Sequence, residues 1–122
     1  MQWLSVALGG ALGALSRYAV GLYLPVTPNK FPFATLTVNV LGSLAIGALY
    51  VIIVERAQFA PETKYFLMVG FLGAFTTYST FSLDALSLWQ NGGQILAGVY
   101  VISTVALCLM AVTGSVWLTR LF

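Results

Sequence analysis

In the middle of one apolar segment, residues 70–82 read Gly70-Phe71-Leu72-Gly73-Ala74-Phe75-Thr76-Thr77-Tyr78-Ser79-Thr80-Phe81-Ser82. Six of the seven residues from Thr76 to Ser82 carry a hydroxyl group, and two glycines precede them. Serine and threonine side chains compete for backbone hydrogen bonds, and glycine weakens a helix. The pattern therefore predicts a broken helix, which membranes tolerate where the break lines a cavity or is buried in protein. The alternative is an unbroken packing helix rich in Ser and Thr.

Four such apolar segments, separated by short polar turns, make up the chain. Of the 122 residues, 60% are hydrophobic and 7% are charged, and the mean hydropathy is +0.96. Soluble domains carry about 25% charged residues, so this composition indicates a membrane protein. The segments must be helical because lipid offers the backbone no hydrogen bonds. We expect one all-α transmembrane domain over residues 1–122, with helices over about 3–24, 33–54, 64–89 and 95–119.

Missing residue types argue against several kinds of function. The chain has no histidine, the usual general base and commonest metal ligand, and its single cysteine allows no intrachain disulfide. Paired acids are also lacking, so we do not expect an enzyme. The net charge of +2 comes without a basic run, so nucleic acid is not an expected partner. No positive segment precedes the first apolar segment, and we expect no cleaved signal peptide.

Two polar residues lie inside the first two segments. Arg17 follows Gly9 and Gly13 at spacings of four, so the three share one helix face. Close packing is the better explanation of the glycines. The arginine either reaches the membrane surface with its long side chain or draws anions to a vestibule. Asn39 is either a clamp between helices or a pore-lining amide whose N–H groups meet an anion.

Further candidate donors lie in the third and fourth segments. Tyr78 and Phe81 are three residues apart, and the positive edges of their rings can replace part of an anion's hydration shell. The alternative is that both rings only fill the bundle. Tyr100, Thr104 and Cys108 share one face of the fourth segment and can each donate a hydrogen bond. Packing explains Cys108 better than thiol reactivity does.

The polar groups in the spans are mostly donors. Asp84, toward the end of the third segment, is the only acid in a predicted span. No carboxylate at mid-membrane is available to bind a cation or relay protons, so the lining suits a small anion. A thin bundle of four helices would leave many polar side chains facing lipid as a monomer. We therefore expect a homo-oligomer, most simply a dimer.

Charges near the helix ends give weak guidance on orientation. On the N-terminal side lie Arg56, Lys64 and Arg120, and on the other side lie Lys30 and Arg17. The positive-inside rule gives only a small preference from this distribution. The chain therefore either inserts in one direction or inserts in both directions and pairs antiparallel with itself.

Three motifs follow one another along the chain: Gly9-Gly10-x-x-Gly13-Ala14-x-x-Arg17-Tyr18, Thr37-Val38-Asn39-x-x-Gly42 and Gly70-x-x-Gly73-x-x-Thr76-Thr77-Tyr78-Ser79-Thr80-Phe81-Ser82. Taken in this order, with four spans, they resemble the Fluc/CrcB family of fluoride channels over the whole chain. The resemblance implies an antiparallel, dual-topology homodimer with two pores and a third helix broken at mid-membrane. It further implies a multi-pass protein of the inner (plasma) membrane that exports cytoplasmic fluoride passively and so lowers fluoride toxicity.

The resemblance also implies roles for individual residues. Backbone carbonyl groups of Gly73 and Thr76 from both subunits would hold a structural Na⁺ at the dimer centre. Asn39 matches the family's pore asparagine, and Phe81 matches the second phenylalanine of a pair. Tyr78 stands where the first phenylalanine usually is, and its phenol can donate a hydrogen bond of its own. The other implied positions are Arg17 at the vestibule and, along the fluoride pore, Thr80, Ser82, Tyr100, Thr104 and Cys108.

Two other functions stay open from the residues alone. A small four-helix multidrug exporter has a similar length and can also pair antiparallel. Such a transporter needs a glutamate in its first membrane helix, and this chain has none there. A membrane assembly subunit without transport activity is the second alternative. No nucleotide-binding motif is visible, so ATP-driven transport is not expected.

Overall fold

The computed structural model describes residues 1–122 and consists of helices joined by short loops. The helices are α1 (Gln2–Tyr23), α2 (Phe33–Glu55), α3 (61–75), α4 (Tyr78–Gln90) and α5 (Gln94–Leu121). The third apolar segment, Pro61–Gln90, thus contains both α3 and α4. By length and composition this segment and α1, α2 and α5 are each able to cross a membrane. The protein is therefore all-helical with four membrane-spanning segments.

Two stretches of these helices are π-helical, with backbone hydrogen bonds from residue i+5 rather than i+4. Tyr50–Glu55 forms the last part of α2, and Tyr65–Leu72 forms most of α3. At the end of the first stretch, the amide of Arg56 donates to the carbonyl oxygen of Val51 at 3.0 Å. π-helical turns are rare and are frequently found at functional sites. The second stretch ends at Leu72, one short helical turn (Gly73–Phe75) before the hydroxyl-rich residues.

Glycines allow α1 to lie directly against α3. A Cβ atom at Gly13 would overlap the carbonyl oxygen of Phe71, and one at Gly9 would overlap that of Phe66. By contrast, nothing lies within 4 Å of a Cβ atom placed on Gly21. The packing interpretation of Gly9 and Gly13 is confirmed, because any side chain there would push the two helices apart.

α2 packs lengthwise against α5. A Cβ atom at Gly47 would lie 2.8 Å from the carbonyl oxygen of Val112, and the hydroxyl of Ser115 donates to the carbonyl oxygen of Leu44. The two helices end together at one side of the bundle. There the side chain of Arg120 forms an ion pair with the last residue of α2, Glu55.

The buried core is small, with 20 of the 122 residues buried. Some of the buried apolar residues form two clusters, one of Phe81, Leu88, Ala97 and Tyr100 and the other of Val38, Leu72 and Phe75. The first cluster lies between α4 and α5, and the second lies between α2 and α3. Large apolar side chains are exposed on every helix. Such a surface suits a protein whose outside is covered by lipid or by another protein surface.

Candidate functional site

Two residues with extended backbone, Thr76 and Thr77, separate α3 from α4. Their φ and ψ angles are −82° and 159° for Thr76 and −152° and 119° for Thr77. α3 therefore ends at Phe75, and α4 begins at Tyr78. The Thr77 hydroxyl accepts a hydrogen bond from the amide of Thr80 at 3.2 Å, so Thr77 is the N-cap of α4. We refer to Thr76 and Thr77 as the interrupted segment.

Asn39 on α2 holds the interrupted segment. Its Oδ1 accepts a hydrogen bond from the amide of Thr77 at 2.8 Å, and its Nδ2 donates to the carbonyl oxygen of Thr77 at 3.0 Å. These bonds satisfy both backbone polar groups of Thr77, as a segment surrounded by protein requires. Asn39 is therefore a clamp between helices. Its amide also lines a cavity and keeps one N–H group without an acceptor in the chain, so the pore role stays open.

The same hydrogen bonds release two backbone carbonyl groups. In a continuous helix, the amides of Thr77 and Thr80 would donate to the carbonyl oxygens of Gly73 and Thr76. Here those amides donate to Asn39 Oδ1 and to Thr77 Oγ1 instead. The carbonyl oxygens of Gly73 and Thr76 thus lack their helical donors at the C-terminal end of α3. The negative end of the helix dipole lies at the same place, which favours a cation there.

A cavity of about 390 Å³ opens beside the interrupted segment, and we call it the Asn39 cavity. Polar groups from α2, from the interrupted segment and from α5 line it together with apolar side chains. The predicted site residues in its lining are Asn39, Gly73, Thr76, Tyr78, Phe81, Thr104 and Cys108. The structure therefore brings most of the predicted site residues to one place, and no acidic residue is among the lining residues.

Thr104 on α5 is a buried residue in the lining of the Asn39 cavity. The residue is 5% exposed, and its Oγ1 has no hydrogen-bond partner within the chain. A buried hydroxyl group without a partner costs about 1–3 kcal/mol. A ligand that accepts a hydrogen bond here would remove that cost. Cys108, one turn further along α5, is half-buried and has a free thiol.

The two aromatic residues near the start of α4 differ in their surroundings. Tyr78 is 79% exposed, whereas Phe81 is buried with its ring 5.3 Å from that of Tyr100. The rings of Tyr78 and Phe81 lie 5.5 Å apart at an angle of 59°. Both residues line the Asn39 cavity. The hydroxyl of Ser82 donates to the carbonyl oxygen of Tyr78 at 3.0 Å, and Ser82 does not line this cavity.

Asp84 accepts hydrogen bonds from two hydroxyl groups next to the cluster that contains Phe81 and Tyr100. Its Oδ2 accepts hydrogen bonds from Thr35 Oγ1 at 2.7 Å and from the Tyr100 hydroxyl at 3.1 Å. The Tyr100 donor is thus committed to a carboxylate, and Tyr100 is not in the lining of the Asn39 cavity. From the sequence, Asp84 stands out only as the single acid of a span. A carboxylate within a span requires hydrogen-bond donors from other helices, and this requirement could have predicted the cluster from the sequence.

A second cavity, of about 320 Å³, is lined by Arg17, and we call it the Arg17 cavity. Thr35, Thr77 and Thr80 contribute hydroxyl-bearing side chains to its wall. Arg17 is half-buried and forms no salt bridge within the chain. Because arginine keeps its charge in proteins, this cavity holds a positive group with no acid paired to it.

The family model described as CrcB-like protein, Camphor Resistance (CrcB), matches residues 4–116. The chain belongs to the CrcB-like family. A protein of Saccharophagus degradans named "Fluoride-specific ion channel FluC" is 55% identical over 118 residues, which cover 97% of this chain and 89% of the relative. A Hahella chejuensis protein of the same name is 52% identical, with 95% and 92% covered. Another, from Rhizobium leguminosarum bv. trifolii, is 42% identical, with 98% and 97% covered.

The second and third motifs of this CrcB-like chain meet at the interrupted segment. In the second motif, Gly42 follows Asn39 by three residues, and a Cβ atom on Gly42 would overlap Cγ2 of Thr76. The asparagine therefore bonds one residue of the segment while the glycine makes room for the other. With four spans and this family membership, the chain is a multi-pass membrane protein.

Proposed function

We propose that the protein is a fluoride-selective channel that conducts the ion passively across the inner membrane. The observation that carries this proposal is the interrupted segment, which Asn39 holds beside a cavity lined with hydrogen-bond donors and no acid. The relatives named as fluoride-specific ion channels, at up to 55% identity over most of the chain, support the choice of ion. The channel is not an enzyme and needs no ATP.

Fluoride is compact and strongly hydrated, so a pathway must supply many donors in place of water. The Asn39 cavity offers the second N–H group of Asn39, the Thr104 hydroxyl, the Cys108 thiol and the ring edges of Tyr78 and Phe81. HF crosses bilayers uncharged and dissociates inside a cell that is more alkaline than its surroundings. A negative cell interior then drives the trapped anion outward through the channel, which lowers its toxicity.

The remaining predicted residues extend this pathway in the proposal. Arg17 stands at the vestibule, where its unpaired charge attracts anions. Thr80 lines the same cavity as Arg17, and Ser82 lies one turn past Tyr78. Tyr100 acts through its packing on Phe81 and its bond to Asp84 rather than as a free donor.

The assembly that we propose is an antiparallel, dual-topology homodimer whose interrupted segments lie near mid-membrane. Support comes from the open side of the single chain. Tyr78 and Gly73 are exposed, and both line the Asn39 cavity with its polar groups. Lipid cannot satisfy such groups, so a second protein surface that covers them is favoured.

We also propose that Na⁺ binds at the dimer centre to the carbonyl oxygens of Gly73 and Thr76. The residues fit this ion, because both carbonyl groups have lost their helical donors and hard cations prefer oxygen ligands. Unwound backbone and helix C-terminal ends bind Na⁺ in other membrane proteins. The ion would serve as a structural link between two copies.

Reconstitution into liposomes tests the proposed function. Purified protein is reconstituted into vesicles loaded with fluoride or with chloride. Efflux is followed with ion-selective electrodes after the membrane potential is collapsed. We expect rapid loss of fluoride and retention of chloride, with no loss from protein-free vesicles. Retention of fluoride, or equally rapid loss of chloride, would contradict the proposal.

A further inference from the structure

Thr77 is the one residue that lines both the Asn39 cavity and the Arg17 cavity. It is 8% exposed, so most of its surface is packed against the protein. In an extended backbone, successive side chains point to opposite sides. Accordingly, the methyl group of Thr76 faces Gly42, in the Asn39 cavity, whereas the hydroxyl of Thr77 contacts Thr80, in the wall of the Arg17 cavity. Thr77 is therefore the partition between the two cavities.

The backbone and the side chain of Thr77 differ in their freedom to move. Asn39 bonds both the amide and the carbonyl group of Thr77, which fixes the backbone. The hydroxyl group donates to Thr80 Oγ1 at 3.1 Å and lies 3.4 Å from Ser79 Oγ. A hydroxyl proton rotates to suit its acceptor, so it is able to leave Thr80 for an anion without movement of the main chain.

One side of this partition carries the unpaired charge of Arg17, with the Asp84 carboxylate bonded to the wall residue Thr35, and the other side carries hydrogen-bond donors. The Arg17 cavity holds a guanidinium group with no acid paired to it, and residues that carry hydrogen-bond donors, such as Asn39 and Cys108, line the Asn39 cavity. We infer that the anion crosses between the two cavities beside Thr77, whose hydroxyl group donates to it at the crossing. This inference rests on the proposed function and adds Thr77 as the residue that controls the crossing.

A test must separate this contact from the capping role of Thr77. Serine, asparagine and aspartate are all good N-caps, so each preserves the bond from the amide of Thr80. Only serine keeps a small hydroxyl group, whereas aspartate places a negative charge at the crossing. The three variants Thr77→Ser, Thr77→Asn and Thr77→Asp therefore share the cap and differ in what they present to an anion.

Fluoride efflux from liposomes is measured for these variants, together with their melting temperatures. Ser103→Ala is the control, because Ser103 lines neither cavity and bonds only within α5. We expect Thr77→Asp to be at least tenfold slower than Thr77→Ser, with Thr77→Asn between them. Should Thr77→Asp not fold, Thr77→Asn decides the question and is expected to be at least threefold slower than Thr77→Ser.

Equal efflux from all folded variants would overturn the inference, because the cap would then be the only role of Thr77. The wild-type protein distinguishes this outcome from failure of the proposed function. If wild type conducts fluoride and the variants do so equally, only the crossing at Thr77 is wrong. If wild type conducts no fluoride, the proposed function itself fails.

Discussion

Asn39 and Thr77, 38 positions apart in the sequence, are joined by two hydrogen bonds through which one side-chain amide satisfies both backbone polar groups of the threonine. A helix interruption inside a membrane span is costly when its N–H and C=O groups lack partners. Here the partner comes from a neighbouring helix rather than from water. The interruption is thus a fixed feature of the fold, and the carbonyl groups that it releases are held in place.

Gly13→Ala should destabilise the protein, because the added methyl group overlaps the carbonyl oxygen of Phe71. Overpacking of this kind costs about 1–3 kcal/mol. Gly21→Ala is the matched control on the same helix, since nothing lies within 4 Å of its Cβ position. Thermal unfolding in detergent should show a lower melting temperature for Gly13→Ala alone. Equal melting temperatures for the two variants would contradict the packing of α1 on α3.

Asp84→Leu should destabilise the protein by leaving the hydroxyl groups of Thr35 and Tyr100 without their acceptor. The loss of an acceptor for a buried donor costs about 1–3 kcal/mol. A double-mutant cycle with Tyr100→Phe measures the pair directly. We expect Asp84→Leu to cost less in the Tyr100→Phe background than in the wild type. An unchanged cost would show that the two side chains do not interact.

The four spans could be predicted from the sequence, because each is a long apolar segment bounded by proline, glycine or charged residues. The sequence also placed Asn39 and Thr104 among the candidate site residues, since both carry a hydrogen-bond donor inside a span. It left the two interpretations of Asn39 open, because the choice depends on Thr77, a partner on another helix. The structure shows the clamp and leaves one N–H group for the other role.

Long-range contacts explain the other differences. From periodicity, Tyr100 belongs with Thr104 and Cys108, but its hydroxyl bonds Asp84 on a different helix. The side-chain pattern along α5 does not reveal that partner. The π-helical stretches were also not predicted, because nearly all of their residues are apolar and give no periodic signal. From the sequence, Thr77 is only one of the hydroxyl residues of the third motif, because its position between two cavities depends on the fold.

Removal of sodium should weaken the assembly if the carbonyl groups of Gly73 and Thr76 hold the ion. A ligand that binds only the folded dimer stabilises it by mass action, by about 1.4 kcal/mol for each tenfold rise in concentration above its Kd. The melting temperature should therefore rise with Na⁺ and fall when N-methyl-D-glucamine replaces it at constant ionic strength. A melting temperature that does not respond to this exchange would contradict the sodium site.

The central claim is that fluoride passes the interrupted segment that Asn39 holds, and fluoride efflux from liposomes containing Asn39→Leu tests it most directly. Leucine keeps roughly the volume of the side chain but makes neither bond to Thr77. With wild type and Ser103→Ala as references, and with folding checked by gel filtration, we expect efflux from Asn39→Leu to fall at least tenfold. Efflux at the wild-type rate from folded Asn39→Leu protein would contradict the account.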